Sequence, residues 1–340
     1  MSILPKDFRR AHELCFVIHD IMAQIIKSGE EQKIFTAMLN LNEEEKLSIN
    51  DDEDILDWLQ LRKRFDDRNL IIRSTVLPGI LSDMMHCVYE ALSASSKGKM
   101  TVAFMLIRKP IQESLYVLES MIIDEEKFVN DLETKPQLLQ PSSGGGVEGH
   151  TKRVSRVLEK ICMGGVLDPK YIAQLRYDKK EYDSFDGLCN KAMHLFTRHE
   201  AIKTESMNIN FIFSGAQQLP SQWEYFYTRL PYLLLYTYFL VEYILEKIKQ
   251  TPEAYLSDIF RRITSSYVIA SLEVPDEYST EESEKLVELL HIWLIEHCTS
   301  HGHSQPNFDD LVKMSQSGSF PNETEESIKK RMSDYEIVNQ

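Results

Sequence analysis

A chain of 340 residues with 38 Lys and Arg against 53 Asp and Glu carries a formal charge of −15. That excludes a protein that coats nucleic acid through a broad cationic surface, a mode that depends on releasing counterions from phosphate. A hydrophobic fraction of 43% excludes a chain disordered throughout, and glycine is scarce, with six of its 13 occurrences between Gly144 and Gly165, leaving few turn glycines for a β-rich fold.

Residues 6–28 place Phe8, His12, Cys15, Phe16, His19, Met22 and Ile26 at three- and four-residue steps, which predicts an amphipathic helix ended by Ser28-Gly29. No uninterrupted apolar stretch of the secretory kind occurs there. The acidic runs at 43–45 and 51–54 read as solvated turns and a helix start, with Asn50 or Asp51 as N-cap. Residues 52–96 predict one or two helices that break or kink at Pro78-Gly79. Residues 99–133 predict a strongly apolar helix interrupted by Pro110, then a polar extension.

Residues 135–150 have loop composition. The run GGGVEGHT at 144–151 is a formal G-x-G-x-x-G, but no strand precedes it and His150 stands where a phosphate loop needs Lys, so it reads as a flexible surface loop. Helical patterns resume at 151–163, 168–178 and 183–203. Residues 207–213, MNINFIF, alternate enough for a short strand or extended segment. Further helices are predicted at 220–250, 252–273 and 279–299, followed by a frayed polar tail.

The most hydrophobic segment, LPYLLLYTYFLVEYILEKIK from Leu230, carries Glu242 and turns to charge at Glu246. It falls short of the ~20 apolar residues that span a bilayer and predicts a buried helix. Five scattered cysteines with no C-x-x-C pair suit reduced thiols and a cytoplasmic location. The expected architecture is all-α: an N-terminal helical extension over 1–70, a helical core over 71–203 with the glycine-rich loop at 141–149, C-terminal helices over 204–315, and a tail over 316–340.

Residues 95–128, SSKGKMTVAFMLIRKPIQESLYVLESMIIDEEKF, together with residues 189–199, CNKAMHLFTRH, resemble the HEPN-like helical families. The shared features are a long apolar helix carrying Arg-x4-Glu (Arg108, Glu113) and a later helix with a polar residue a turn before a His. The resemblance implies a bundle, a homodimer, and a metal-independent ribonuclease site with no cofactor, of the sort found in toxins, phage-defence proteins and RNA-processing enzymes. The family's Arg-x4-6-His motif is absent, its nearest equivalent being Asn190-x3-His194. In the RNA-cleaving reading His194 is the general acid or base, Asn190 its orienter, and Arg108 or Arg198 the stabiliser of the phosphate. The other reading is a non-catalytic helical interaction module with a protein partner, in which these residues are structural.

Glu113 lies about 140° round an α-helix from Arg108, so Arg108 is expected to seek Glu90 or Glu119 on another helix while Lys109 pairs with Glu113. Lys152, Arg153, Arg156 and Lys160 line one helix face. Lys152, Arg153 and Arg156 of that face, with Lys109 and Arg198, are the candidate substrate contacts, provided that they adjoin His194. His291, His297, Cys298, His301 and His303 collect metal-capable groups, but Thr299, Ser300 and Gly302 suggest a helix terminus rather than a metal site.

Overall fold

The computed structural model describes residues 2–49, 54–210 and 215–338. The protein is all-α, with no strand among the described residues. In chain order the helices are α1 (Arg9–Glu31), α2 (Glu43–Ser48), α3 (Ile55–Leu61), α4 (Phe65–Ser95), α5 (Met100–Lys109), α6 (Leu115–Ile123), α7 (Glu125–Thr134) and α8 (Gly146–Lys160). They continue with α9 (Pro169–Tyr177), α10 (Phe185–Met193), α11 (Leu219–Glu246), α12 (Glu253–Glu273), α13 (Glu281–Ser300), α14 (Phe308–Ser317) and α15 (Glu325–Val338).

The bundle is organised around α11. Its run from Leu230 to Leu245 is buried on almost every side, as a helix apolar all round must be in a large core. No helix among the described residues is long and apolar enough to cross a membrane. One continuous core extends from Leu4 to Leu290, and a smaller cluster joins α12, α13 and α14 through Ile269, Leu294 and Met314. At the centre Phe104 of α5 meets Phe226 edge-to-face at 5.5 Å and lies 6.2 Å from Phe185 of α10, which locks α5, α10 and α11 together.

Several boundaries differ from the sequence reading. Pro78 does not break its helix; α4 runs through it because fully buried Leu77 and Leu81 hold both flanks in the core, and packing outweighs the one lost hydrogen bond. At Pro110 the helix yields instead, into a π-turn over Pro110–Ser114. The glycine-rich stretch is a helix start rather than a free loop: Gly145 takes a left-handed φ of 79° and α8 begins at Gly146. A Cβ at Gly144 would lie 2.2 Å from the His150 ring, so the close approach requires glycine.

The helix expected over 183–203 ends at Met193. Residues 207–210 form a turn and loop, not a strand, and the rest of that expected strand lies outside the described residues. So do the N-caps expected at Asn50 or Asp51; the caps observed are Asn42, in a reciprocal capping box with Glu45, and Asp54. The polar tail is not frayed at its start, since Arg331 pairs with Glu323 at 3.0 Å and with Asp258 of α12.

Phe104→Ala should destabilise the protein by about 3–5 kcal/mol, the usual cost of an unrelaxed aromatic cavity. Urea denaturation monitored by far-UV circular dichroism checks this, with the midpoint falling at an unchanged slope.

Candidate functional site

Glu119 is the only charged side chain of α6 and is 0% exposed. A carboxylate in that position is stable only when fully paired, and three helices supply the partners. Arg176 of α9 donates through Nη1 to Oε1, Tyr236 of α11 donates to the same oxygen at 2.9 Å, and Arg153 of α8 donates through Nε to Oε2 at 3.0 Å. Burial alone would raise the Glu119 pKa, but the charges of Arg176 and then Arg153 more than offset it and hold the carboxyl below its ordinary range.

The π-turn completes this network. The segment after Pro110 takes the π-turn, and carbonyl oxygens have a second lone pair with which to accept side-chain donors. The Ile111 carbonyl accepts from Arg176 Nε, and the Gln112 carbonyl accepts from the Tyr177 hydroxyl at 2.8 Å. Gln112 Nε2 in turn donates to the Arg176 carbonyl at 2.7 Å and to Asp186 Oδ1 at 3.0 Å. His150 stacks on Tyr177 with ring centroids 3.6 Å apart. Burial, reinforced by the Arg176 charge, pushes its pKa down to about 4.

Of the predicted cationic face on α8, two members are turned onto acids. Lys152 pairs with Glu148 at 2.7 Å, and Arg153 faces inward with its guanidinium 3.8 Å from the Tyr116 ring centroid. Arg153 and exposed Arg156 do line a pocket of about 230 Å³, where Lys127 pairs with Asp131. Because α8 packs on α6 and α9 whereas α10 packs on α5 and α9, this basic stretch serves a different side of the bundle from His194.

The α5–α10 side gathers the other candidates, in an arrangement that corrects the helical-wheel argument. Arg108 Nη1 reaches Glu113 Oε1 at 3.2 Å, because the five-residue repeat of the π-turn brings i and i+5 into register. Arg108 therefore turns to neither Glu90 nor Glu119. Lys109 pairs not with Glu113 but with Asp83 of α4 at 2.7 Å, a contact that raises the lysine pKa. Asn190 donates its amide to Asp186, to the carbonyl at 2.7 Å and the carboxylate at 2.8 Å.

His194 does not continue the Asn190 stripe. It is the C-cap of α10 with φ −128° and ψ 130°, is exposed, and its ring hydrogen-bonds to nothing among the described residues; its carbonyl accepts from Asn210. Arg198 is exposed in the loop beyond. Arg108 nonetheless lies close enough to α10 to lower the pKa of Cys189, against the larger upward effects of burial and Asp186, and its buried Nε has no hydrogen-bond partner among the described residues.

The C-terminal histidines surround a phenylalanine. Phe320 stacks with His303 at 4.4 Å, His301 at 5.4 Å and His297 at 5.7 Å, and the Arg261 guanidinium lies 3.9 Å from its ring centroid. His297 Nε2 is 3.0 Å from Arg261 Nη1, so it accepts as an unprotonated nitrogen; burial and then the Arg261 charge push its pKa down to about 4. No group of three or more His, Cys, Asp or Glu side chains among the described residues could hold a metal ion. His291 stands apart, on the wall of a larger cavity.

Sequence reasoning missed Arg176, Tyr177, Tyr236 and Gln112. The available signal was Glu119 itself, a lone carboxylate within LYVLESMII, which demands buried donors from elsewhere in the chain. No family model matches this sequence, and neither a curated protein nor a solved structure is similar to it.

Glu119→Ala should cost about 3–5 kcal/mol by leaving Arg176 buried and uncompensated, measurable as a lower urea midpoint, with Glu119→Gln intermediate. Because His150 and His297 have folded pKa values of about 4, below the unfolded 6.5, the unfolded chain binds more protons between those values. Stability is therefore present above pH 6.5 and is lost as pH falls towards 4. Melting temperatures measured at stepped pH should fall over that window, and less steeply in His297→Leu.

Proposed function

We propose that this chain is a HEPN-like helical protein that acts as a non-catalytic interaction module and presents its α5–α10 face to a second copy of itself. The reading is carried by the apolar side chains on that face. Val102 and Met105 on α5, and Met193, Leu195 and Phe196 at the end of α10, are between 43% and 68% exposed. Exposed apolar residues scattered singly are ordinary, but Val102, Met105 and Met193 belong to two helices that pack on each other, Leu195 and Phe196 follow directly on the second, and all five lie in the stretches that carry the HEPN-like resemblance. A self-complementary contact would remove them from water.

The catalytic candidates support binding over cleavage. Asn190 is committed to Asp186, Arg108 to Glu113 and Lys109 to Asp83, while the His194 ring pairs with no carboxylate or base among the described residues to divide acid and base work. One observation favours the RNA-cleaving reading as a second reading: Arg108 Nε is a buried donor without a partner among the described residues, next to the helix that carries Asn190. A phosphate oxygen would satisfy it.

Size-exclusion chromatography with light scattering at micromolar concentration, together with incubation of labelled single-stranded RNA, tests both. The expected result is a dimer that leaves RNA intact and that Met105→Glu with Leu195→Glu converts to a monomer of unchanged helicity. A monomeric wild type overturns the self-association. RNA cleavage that disappears in His194→Ala overturns the non-catalytic reading in favour of the ribonuclease.

A further inference from the structure

On another side of the bundle α1, α11, α12 and α13 enclose a cavity of about 460 Å³, within the size range of small-molecule sites. Leu14, Pro231 and Val287 give it apolar walls. Tyr227 contributes its ring, its hydroxyl being already held by His12 Nδ1 at 2.7 Å and by Ser95 Oγ.

Tyr267 is different. It lines the same cavity, is 5% exposed, and its hydroxyl hydrogen-bonds to nothing among the described residues. A hydroxyl on a cavity wall with no protein partner has its donor and lone pairs open to a group of a ligand. Burial raises its pKa well above the ordinary phenol value, so the group stays protonated and offers both a donor and lone pairs.

The mouth has the opposite character. Glu284 and Glu288 are exposed at the rim, while neither Lys nor Arg lines the cavity. Glu284 accepts from Ser279 through one oxygen, and a carboxylate has further lone pairs to offer. Two carboxylates with neither Lys nor Arg among the lining residues attract positive charge and repel carboxylates and phosphates, and the tyrosine rings add cation–π attraction. The cavity therefore discriminates against the very anions that an RNA site would need.

We propose that this cavity binds a small organic amine, with its ammonium group at Glu284 and Glu288, its apolar body along Leu14, Pro231 and Val287, and a distal hydroxyl meeting Tyr267. The site is independent of the self-association proposed for the α5–α10 face, and either can fail without the other.

Calorimetric titration of the full chain with tyramine, phenethylamine and 4-hydroxyphenylacetate tests it. Tyramine should bind; phenethylamine, which lacks the distal hydroxyl, should bind about tenfold more weakly; the anionic acid should give no heat of binding. Tyr267→Phe should abolish the preference between the two amines, a change that a merely structural tyrosine would not produce. Glu284→Gln with Glu288→Gln, both on the exposed rim and safe for folding, should weaken both amines about tenfold. The proposal is overturned if neither amine binds at millimolar concentration, if the acid binds as tightly as tyramine, or if the rim variant leaves the affinities unchanged.

Discussion

Placing the Glu119 carboxylate where no water reaches it constrains most of the bundle. An ionised carboxylate in that position needs donors from every side, and they come from α8, α9 and α11 as Arg153, Arg176 and Tyr236. Arg176 is itself fully buried, so its remaining N–H groups also require acceptors, which they find in the Ile111 carbonyl and the Tyr177 hydroxyl. Such a network is weak evidence of extra stability, since apolar residues of equal volume would serve as well. Its consequence is registry: α6, α8, α9 and α11 can satisfy it in few mutual positions.

Pro110 links this interior to the surface. The chain passes from α5 into a π-turn at this residue, and within that turn the Ile111 and Gln112 carbonyls accept from Arg176 and Tyr177. The same change of pitch turns Glu113 outward into the reach of Arg108. The π-turn therefore joins the buried network to the Arg108–Glu113 pair at the surface, and Arg108 Nε has no hydrogen-bond partner among the described residues.

The distribution of charge follows a similar logic. Many cations are paired within the fold, Arg229 with Asp183 and Arg64 with Asp67 among them, so the excess of acid is felt at the surface and at the cavity rim. At the C-terminal end the histidine rings pack flat round Phe320. Arg261 donates to His297, which keeps that ring neutral, while covering Phe320.

Apolar periodicity and the scarcity of glycine were enough to read the all-helical class, the burial of α11 and most helix positions, because those properties depend on residues within a few turns of one another. The partners of Glu119, the inward turn of Arg153 and the pairing of Lys109 with Asp83 were not legible, since each joins residues far apart in the chain. His194 shows the limit most directly: Asn190 and His194 have helical spacing, yet α10 stops at Met193. The Asn210 amide claims the His194 carbonyl in the extended chain that follows. Local spacing specifies which faces can form, whereas the competition of each buried donor and acceptor for a partner across the fold selects which of them do.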